Sequence, residues 1–282
     1  MTPTPAPKVL ILGAAGRFGA AATQAFADAG WQVLAQVRRA DVPLPPGVQR
    51  VALPLSDTAG LARAAQGARA VVYAVNPLYT RWGAELLPLA RQGMAVAQAL
   101  GARFMLPGNV YNHGSQLPAT LSEGTPQQAD TPKGRQRLAL EAALQAAAEE
   151  GRLQSTVIRA GDFYGGGTGS WLDLVMVKGA ARGKLVYPGP LDRPHAWAYL
   201  PDLARAFVAA AGREGLPPFA HWHFAGHTLT GAQWLAELEA ALRAVGVAPP
   251  QGFHHAGMPW GLIRLLGIVW PMGRELARMA YL

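Results

Sequence analysis

Lys8-Val-Leu-Ile-Leu12-Gly13-Ala-Ala-Gly16-Arg17-Phe18-Gly19 is the stretch from which the rest of the chain is read. Val9–Leu12 is a short continuous apolar run, the pattern of a strand buried on both faces of a parallel sheet. Gly13 stops it, and an Ala-rich segment of helical composition starts at Arg17. Glycines between a strand and a helix let the backbone turn tightly and approach a pyrophosphate, whose charge then rests on helix N-terminal N–H groups. Three glycines alone say little; their position directly after the strand and before the helix carries the signal. An ordinary strand–helix turn is the competing reading.

Working outward, strands are predicted at Lys8–Leu12, Gln32–Val37, Gln49–Leu53, Ala70–Val75, Arg103–Leu106 and Thr156–Arg159. Helices are predicted near Arg17–Ala29, Thr58–Gln66, Ala84–Leu100 and Lys133–Glu150. This alternation specifies an α/β fold, a doubly wound parallel sheet with helices on both faces. After Arg159 the rhythm changes to Gly- and Pro-rich loops, with one more candidate strand at His221–Ala225. Thr230 is placed to cap a helix over Ala232–Val245. The expected organisation is a Rossmann-like dinucleotide-binding domain over 1–160 and a smaller, mainly substrate-binding lobe over 161–282. Residues 195–212 are expected to return to the first domain.

The chain has 282 residues, 25 Lys+Arg against 17 Asp+Glu, and no cysteine. Half of it is hydrophobic, which excludes disorder. The absence of cysteine excludes disulfides, thiolate metal sites and a cysteine nucleophile, and makes a reducing cytoplasm the simplest home. The excess positive charge is scattered, so nucleic acid is not an expected partner and an anionic small molecule is. Met1–Pro7 is a Pro-rich leader, and Trp260–Trp270 is about half a bilayer span and contains Arg264, so no membrane span is expected. The latter reads as an amphipathic or buried helix. His221, His223, His254 and His255 follow no recognised metal spacing, and no metal is expected.

The G-x-x-G-x-x-G spacing at the start resembles that of the extended and atypical short-chain dehydrogenases/reductases, the NAD-dependent epimerase/dehydratase-like group. Val71–Pro77 resembles the family's fourth strand, and Val110-Tyr111 its Val-Tyr-Gly after strand five. Ile158-Arg-Ala-Gly-Asp162-Phe-Tyr164-Gly165 resembles its Arg-x-x-Asn-x-Tyr-Gly, and Trp197–Asp202 the stretch leading into a capped helix. The resemblance implies that Gly13, Gly16, Arg17, Phe18, Gly19, Leu55, Val75 and Asn76 contact a dinucleotide. It implies that Tyr79, Asn109, Asp162, Tyr164 and Trp260 contact a small-molecule substrate, and it is compatible with a homodimer. Where an NAD enzyme places a carboxylate at the end of strand two, this chain has Arg38-Arg39. Guanidinium groups suit a 2′-phosphate, so NADP is the expected cofactor.

The family's usual Tyr-x-x-x-Lys pair is missing: Lys133 stands at the Tyr position, Arg137 at the Lys position, and Pro107 or Gly108 at the Ser/Thr position. Lys133 is the first candidate acid, with Arg137 and partial burial favouring release of its proton. Tyr111 and Tyr164 are alternative donors, and a solvated first-turn lysine is the competing reading. Asp162 replaces an Asn that contacts substrate phosphates in sugar-nucleotide epimerases, and a carboxylate beside a pyrophosphate is unfavourable. The tail residues Trp260, Leu262, Leu265, Leu266, Ile268 and Trp270 suit the roof of an apolar pocket. The leading expectation is an NADP(H)-dependent oxidoreductase acting on a carbonyl or enone of a small, fairly apolar molecule. A non-catalytic NADP(H)-binding sensor or scaffold and a sugar-nucleotide epimerase or dehydratase are the alternatives, the latter disfavoured by Asp162.

Overall fold

The computed structural model describes residues 5–280. Residues 1–4 of the Pro-rich leader lie outside the described residues. The chain forms two compact units: one runs to Ala160 and takes in Leu200–Phe224, the other comprises Gly161–Tyr199 and the chain from Ala225 onward.

The first unit is a seven-stranded sheet, all parallel, built from β1 (Lys8–Leu12), β2 (Gln32–Gln36), β3 (Gln49–Val51), β4 (Ala68–Tyr73), β5 (Arg103–Gly108), β6 (Ser155–Arg159) and, from the returning segment, Phe219–His223. In sheet order the returning strand comes first, followed by β6, β5, β4, β1, β2 and β3. The connections are α1 (Arg17–Asp28), α2 (Thr58–Ala64), α3 (Trp82–Leu100) and α4 (Pro132–Glu149). Val9–Leu12 are fully buried, as a strand between β2 and β4 with covered faces requires. Helix starts obey local chemistry: Asp57 accepts from the Gly60 amide at 2.9 Å to begin α2, and Thr131 accepts from the Gly134 amide at 3.1 Å to begin α4.

The second unit holds β7 (Asp162–Tyr164), β8 (Lys184–Tyr187), β9 (Pro194–Tyr199), β11 (His227–Thr230) and β12 (His254–Gly257), the returning strand Phe219–His223 being β10. These make a three-stranded sheet β11-β9-β7 and a two-stranded sheet β12-β8. Helix α5 (Leu200–Ala211) belongs to the first unit, whereas α6 (Gly231–Ala244), α7 (Trp260–Leu266) and α8 (Pro271–Arg278) belong to the second. Thr230 and Gln233 form a capping box at the start of α6. The core of this unit is aromatic, with Trp197 and Trp234 stacked at 5.0 Å between ring centroids.

Two sequence expectations change here. The return to the first unit spans 200–224 rather than 195–212, because β9 pairs with β7 and β11 while β10 extends the parallel sheet from β6. The stretch 260–270, expected as an amphipathic or buried helix, is helical only as far as Leu266, and within α7 Ile263 alone is buried. Leu262, Leu265, Ile268 and Trp270 are 54%, 63%, 77% and 44% exposed, so they do not roof an enclosed pocket within their own unit. Among the described residues no helix is long and apolar enough to cross a membrane.

Candidate functional site

Every loop of interest leaves the C-terminal end of a parallel strand in the first unit: residues 13–16 after β1, 74–81 after β4, and 109–113 after β5. Chain order reverses in the sheet between β1 and β4, and the crevice at such a reversal is where open α/β sheets bind ligands.

The three glycines of the first loop have three different physical reasons. Gly13 has φ +78°, and a Cβ on it would lie 3.0 Å from Val75 Cγ2. At Gly19 a Cβ would lie 2.2 Å from the Gly13 carbonyl oxygen, so only glycine lets α1 lie against the loop. At Gly16 a Cβ would meet nothing nearer than 3.4 Å. The protein itself does not demand glycine there, and the space fits the close approach of a phosphate group. Gly16 is also the N-cap of α1, with no capping side chain and no acidic residue in the first turn. That end of the helix is suited to an anion.

Sequence reasoning missed Gln36. Buried at the end of β2, it accepts from the Gly13 amide at 2.9 Å and donates to the Leu53 carbonyl at 2.7 Å, fastening the loop to the strand-three connection. A buried Gln at a strand end beside a Gly turn was the available signal. Phe18 is buried with its ring 4.9 Å from Phe207, packing α1 on α5. Leu55 and Val75 are half-buried at the same strand ends, and Asn76 is exposed. Arg38 and Arg39 are exposed just past β2, and Arg39 lies 3.6 Å from Asp41, a carboxylate that the sequence reading overlooked.

The second cluster surrounds the first turn of α4. Lys133 is buried, not solvated; its ammonium donates to the Tyr79 carbonyl at 2.8 Å and lies 4.7 Å above the Tyr79 ring. Arg137 is also buried, its guanidinium 4.7 Å over the Trp82 ring. Its Nε has no hydrogen-bond partner, and the nearby Glu141 carboxylate is paired with Arg159. Burial pushes the Arg137 guanidinium down from its ordinary value, and the neighbouring Tyr111 and then Tyr79 phenols oppose that shift. The Tyr111 and Tyr79 hydroxyls are hydrogen-bonded at 2.9 Å. Asn109 accepts from the Tyr111 amide at 3.2 Å, which makes it a brace of this turn. Gly134 is the other missed residue: a Cβ there would lie 2.4 Å from the Tyr111 carbonyl oxygen, so glycine seats the turn on α4. Beneath them Arg159 and Glu141 form a buried ion pair at 2.6 Å that ties β6 to α4.

The remaining candidates lie in the second unit. Asp162 is 3.1 Å from His195 Nε2, Tyr164 packs 5.1 Å from the Trp234 ring, and Trp260 donates to the Pro188 carbonyl at 2.7 Å. The histidines are occupied separately: in the first unit His223 by Arg159 and His221 by the Glu123 carbonyl, in the second His255 by Glu239. Among the described residues no three metal-ligating side chains converge.

No curated protein sequence matches the chain. It is similar in fold to the UDP-glucose 4-epimerase of Thermotoga maritima, at 16% identity and TM-score 0.71, covering 89% of this chain and 85% of that one. It is similarly close to the UDP-glucuronic acid 4-epimerase of Bacillus cereus, solved with UDP-glucuronic acid and NAD (15%, TM-score 0.71, 89% and 86%). A third is TunA, an NAD-dependent NDP-hexosamine 5,6-dehydratase (19%, TM-score 0.68, 89% and 84%). Residues 9–219 match the model of the NAD dependent epimerase/dehydratase family, and the chain belongs to that family.

Proposed function

We propose that this protein binds a nicotinamide dinucleotide on the Gly13–Gly19 loop and catalyses hydride transfer at a hydroxyl- or carbonyl-bearing carbon. The observation that carries the reading is the pairing, at the C-terminal strand ends of one sheet, of an open glycine turn at Gly16 with a buried cation–phenol cluster at Tyr111 and Arg137. The bound dinucleotide would supply the hydride acceptor or donor. Gly13, Gly16 and the first turn of α1 would hold its pyrophosphate, Gln36 would keep the loop in shape, and Arg38 would take a 2′-phosphate. On that ground NADP is the proposed form, whereas the Bacillus cereus neighbour carries NAD.

Family membership and neighbours favour a sugar-nucleotide substrate over the apolar carbonyl or enone expected from sequence. The main objection to a pyrophosphate was a bare carboxylate at Asp162. That carboxylate is not bare: one of its oxygens is hydrogen-bonded to His195 Nε2 at 3.1 Å. A non-catalytic scaffold fits poorly, since a buried guanidinium whose Nε has no hydrogen-bond partner costs stability that mere binding of a dinucleotide does not require.

Calorimetry with NADPH, NADP, NADH and NAD tests the cofactor. Incubation of the loaded protein with UDP-hexoses and with neutral ketones, followed by product analysis, tests the substrate. Absence of dinucleotide binding sinks the proposal, and turnover of neutral ketones alone restores the apolar reading.

A further inference from the structure

We infer that the proton donor and acceptor of this site is the Tyr111 phenol, hydrogen-bonded to Tyr79 and sharing the Trp82 ring with Arg137, so that the turn after β5 supplies the tyrosine that α4 lacks. The inference rests on the hydride-transfer reading above. It displaces Lys133, whose buried ammonium is committed to the Tyr79 carbonyl and to the faces of Tyr79 and Trp82 at 4.7 and 5.2 Å. Lys133 is a positioning residue for Tyr79.

The argument starts from Arg137. A buried guanidinium is costly unless an anion or an anion-forming group stands near it. The groups near Arg137 are the Tyr111, Tyr79 and Tyr73 phenols and the Glu141 carboxylate, and that carboxylate is already paired with Arg159. Tyr73 is excluded, because its hydroxyl is buried without a partner and burial pushes its phenol up, whereas the Tyr111 hydroxyl, though buried, is hydrogen-bonded to Tyr79. Tyr111 is held beside α4 by Gly134 and Asn109, and its ring lies 6.3 Å from the Trp82 ring on which Arg137 rests. Two forces then favour its phenolate: the positive charge of Arg137 and a hydrogen bond donated by Tyr79. Tyr79 is half-buried where Tyr111 is buried, which gives the pair a route to solvent.

The step moves one proton and no electrons. As negative charge grows on the substrate oxygen, the Tyr111 O–H bond breaks and a new O–H bond forms on that oxygen. The charge left on Tyr111 faces Arg137, and Tyr79 passes a replacement proton inward. In the oxidising direction the Tyr111 phenolate takes the proton from the substrate hydroxyl.

The test is an ultraviolet tyrosinate titration of the protein without cofactor or substrate. One tyrosine is expected to ionise about 1–3 pH units below the others, the effect of an adjacent cation. That early step is expected to vanish in Tyr111→Phe and to move up in both Arg137→Gln and Tyr79→Phe. It persists in Lys133→Met. Circular dichroism checks each fold, and if Arg137→Gln does not fold, Tyr79→Phe decides the same point. No early step in the parent, or an early step retained in Tyr111→Phe, overturns the assignment. Because the titration needs no dinucleotide, it fails independently of the calorimetry on which the hydride-transfer reading depends.

Discussion

The glycine loop and the Tyr111 corner occupy neighbouring strand ends of one sheet, yet they are built in opposite ways. The loop is a single run of residues, 13–19, and its constraints are steric and backbone ones: a positive φ at Gly13 beside Val75, a close packing at Gly19, an open space at Gly16, and a Gln36 side chain that accepts from the Gly13 amide. The corner draws Tyr79, Trp82, Tyr111, Lys133 and Arg137 from segments far apart in the chain, and its constraints are electrostatic. A contiguous loop tolerates damage elsewhere as long as its own backbone survives. An assembled corner depends on whatever docks its helix, here the Arg159–Glu141 ion pair.

The largest expected effect breaks that dependence. Glu141→Ala leaves Arg159 buried without its carboxylate and is expected to cost about 3–5 kcal/mol of unfolding free energy. Denaturant melts would measure it; a loss under about 1 kcal/mol would mean the pair is not what holds α4 to β6.

The loop is sharpened by two substitutions three residues apart. Gly19→Val forces a side chain into the Gly13 carbonyl and is expected to cost about 1–3 kcal/mol of stability. Gly16→Val fills only the open cradle, so its melt should stay near the parent while dinucleotide affinity drops about a hundredfold or more. Equal stability losses in the two variants would erase the distinction between packing glycine and ligand glycine.

Arg38 probes the exposed rim of the same loop. Arg38→Ala is expected to weaken NADPH about tenfold, roughly 1.4 kcal/mol, and to leave NADH unchanged. Parallel losses for both cofactors would count against NADP as the preferred form.

The smallest effect is one of pH. Burial lowers His113 and His223 below their ordinary value of 6.5, and nearby Arg159 pushes each further down. Both are therefore neutral when folded and bind protons more readily when unfolded. Their contribution is fully present above pH 6.5 and lost as pH falls through the folded values. Melting temperature should decline as pH falls below about 6.5, and His223→Phe should flatten the decline. An unchanged slope in that variant would remove the histidine from the account.

Much of this was legible in the residue order. The strand run at Val9–Leu12, the glycine spacing and the caps at Asp57 and Thr230 act over a few neighbouring residues, so reading them needs no knowledge of the fold. Family membership followed from the same local signals in a fixed order. The corner was legible only as a set of names. Lys133 looked like a solvated residue or an acid, and its fate was decided by a carbonyl 54 positions earlier in the chain. Gln36 and Gly134 were missed because their partners, Leu53 and Tyr111, are brought to them by strand register and helix docking. Sequence alone determined what short-range sterics and backbone hydrogen bonding determine: the strands, the turns, the helix starts and the cradle. Tertiary structure alone decided which charges are buried, which phenols meet and which histidines stay neutral. Desolvation and Coulomb energy depend on distances that the order of residues does not contain.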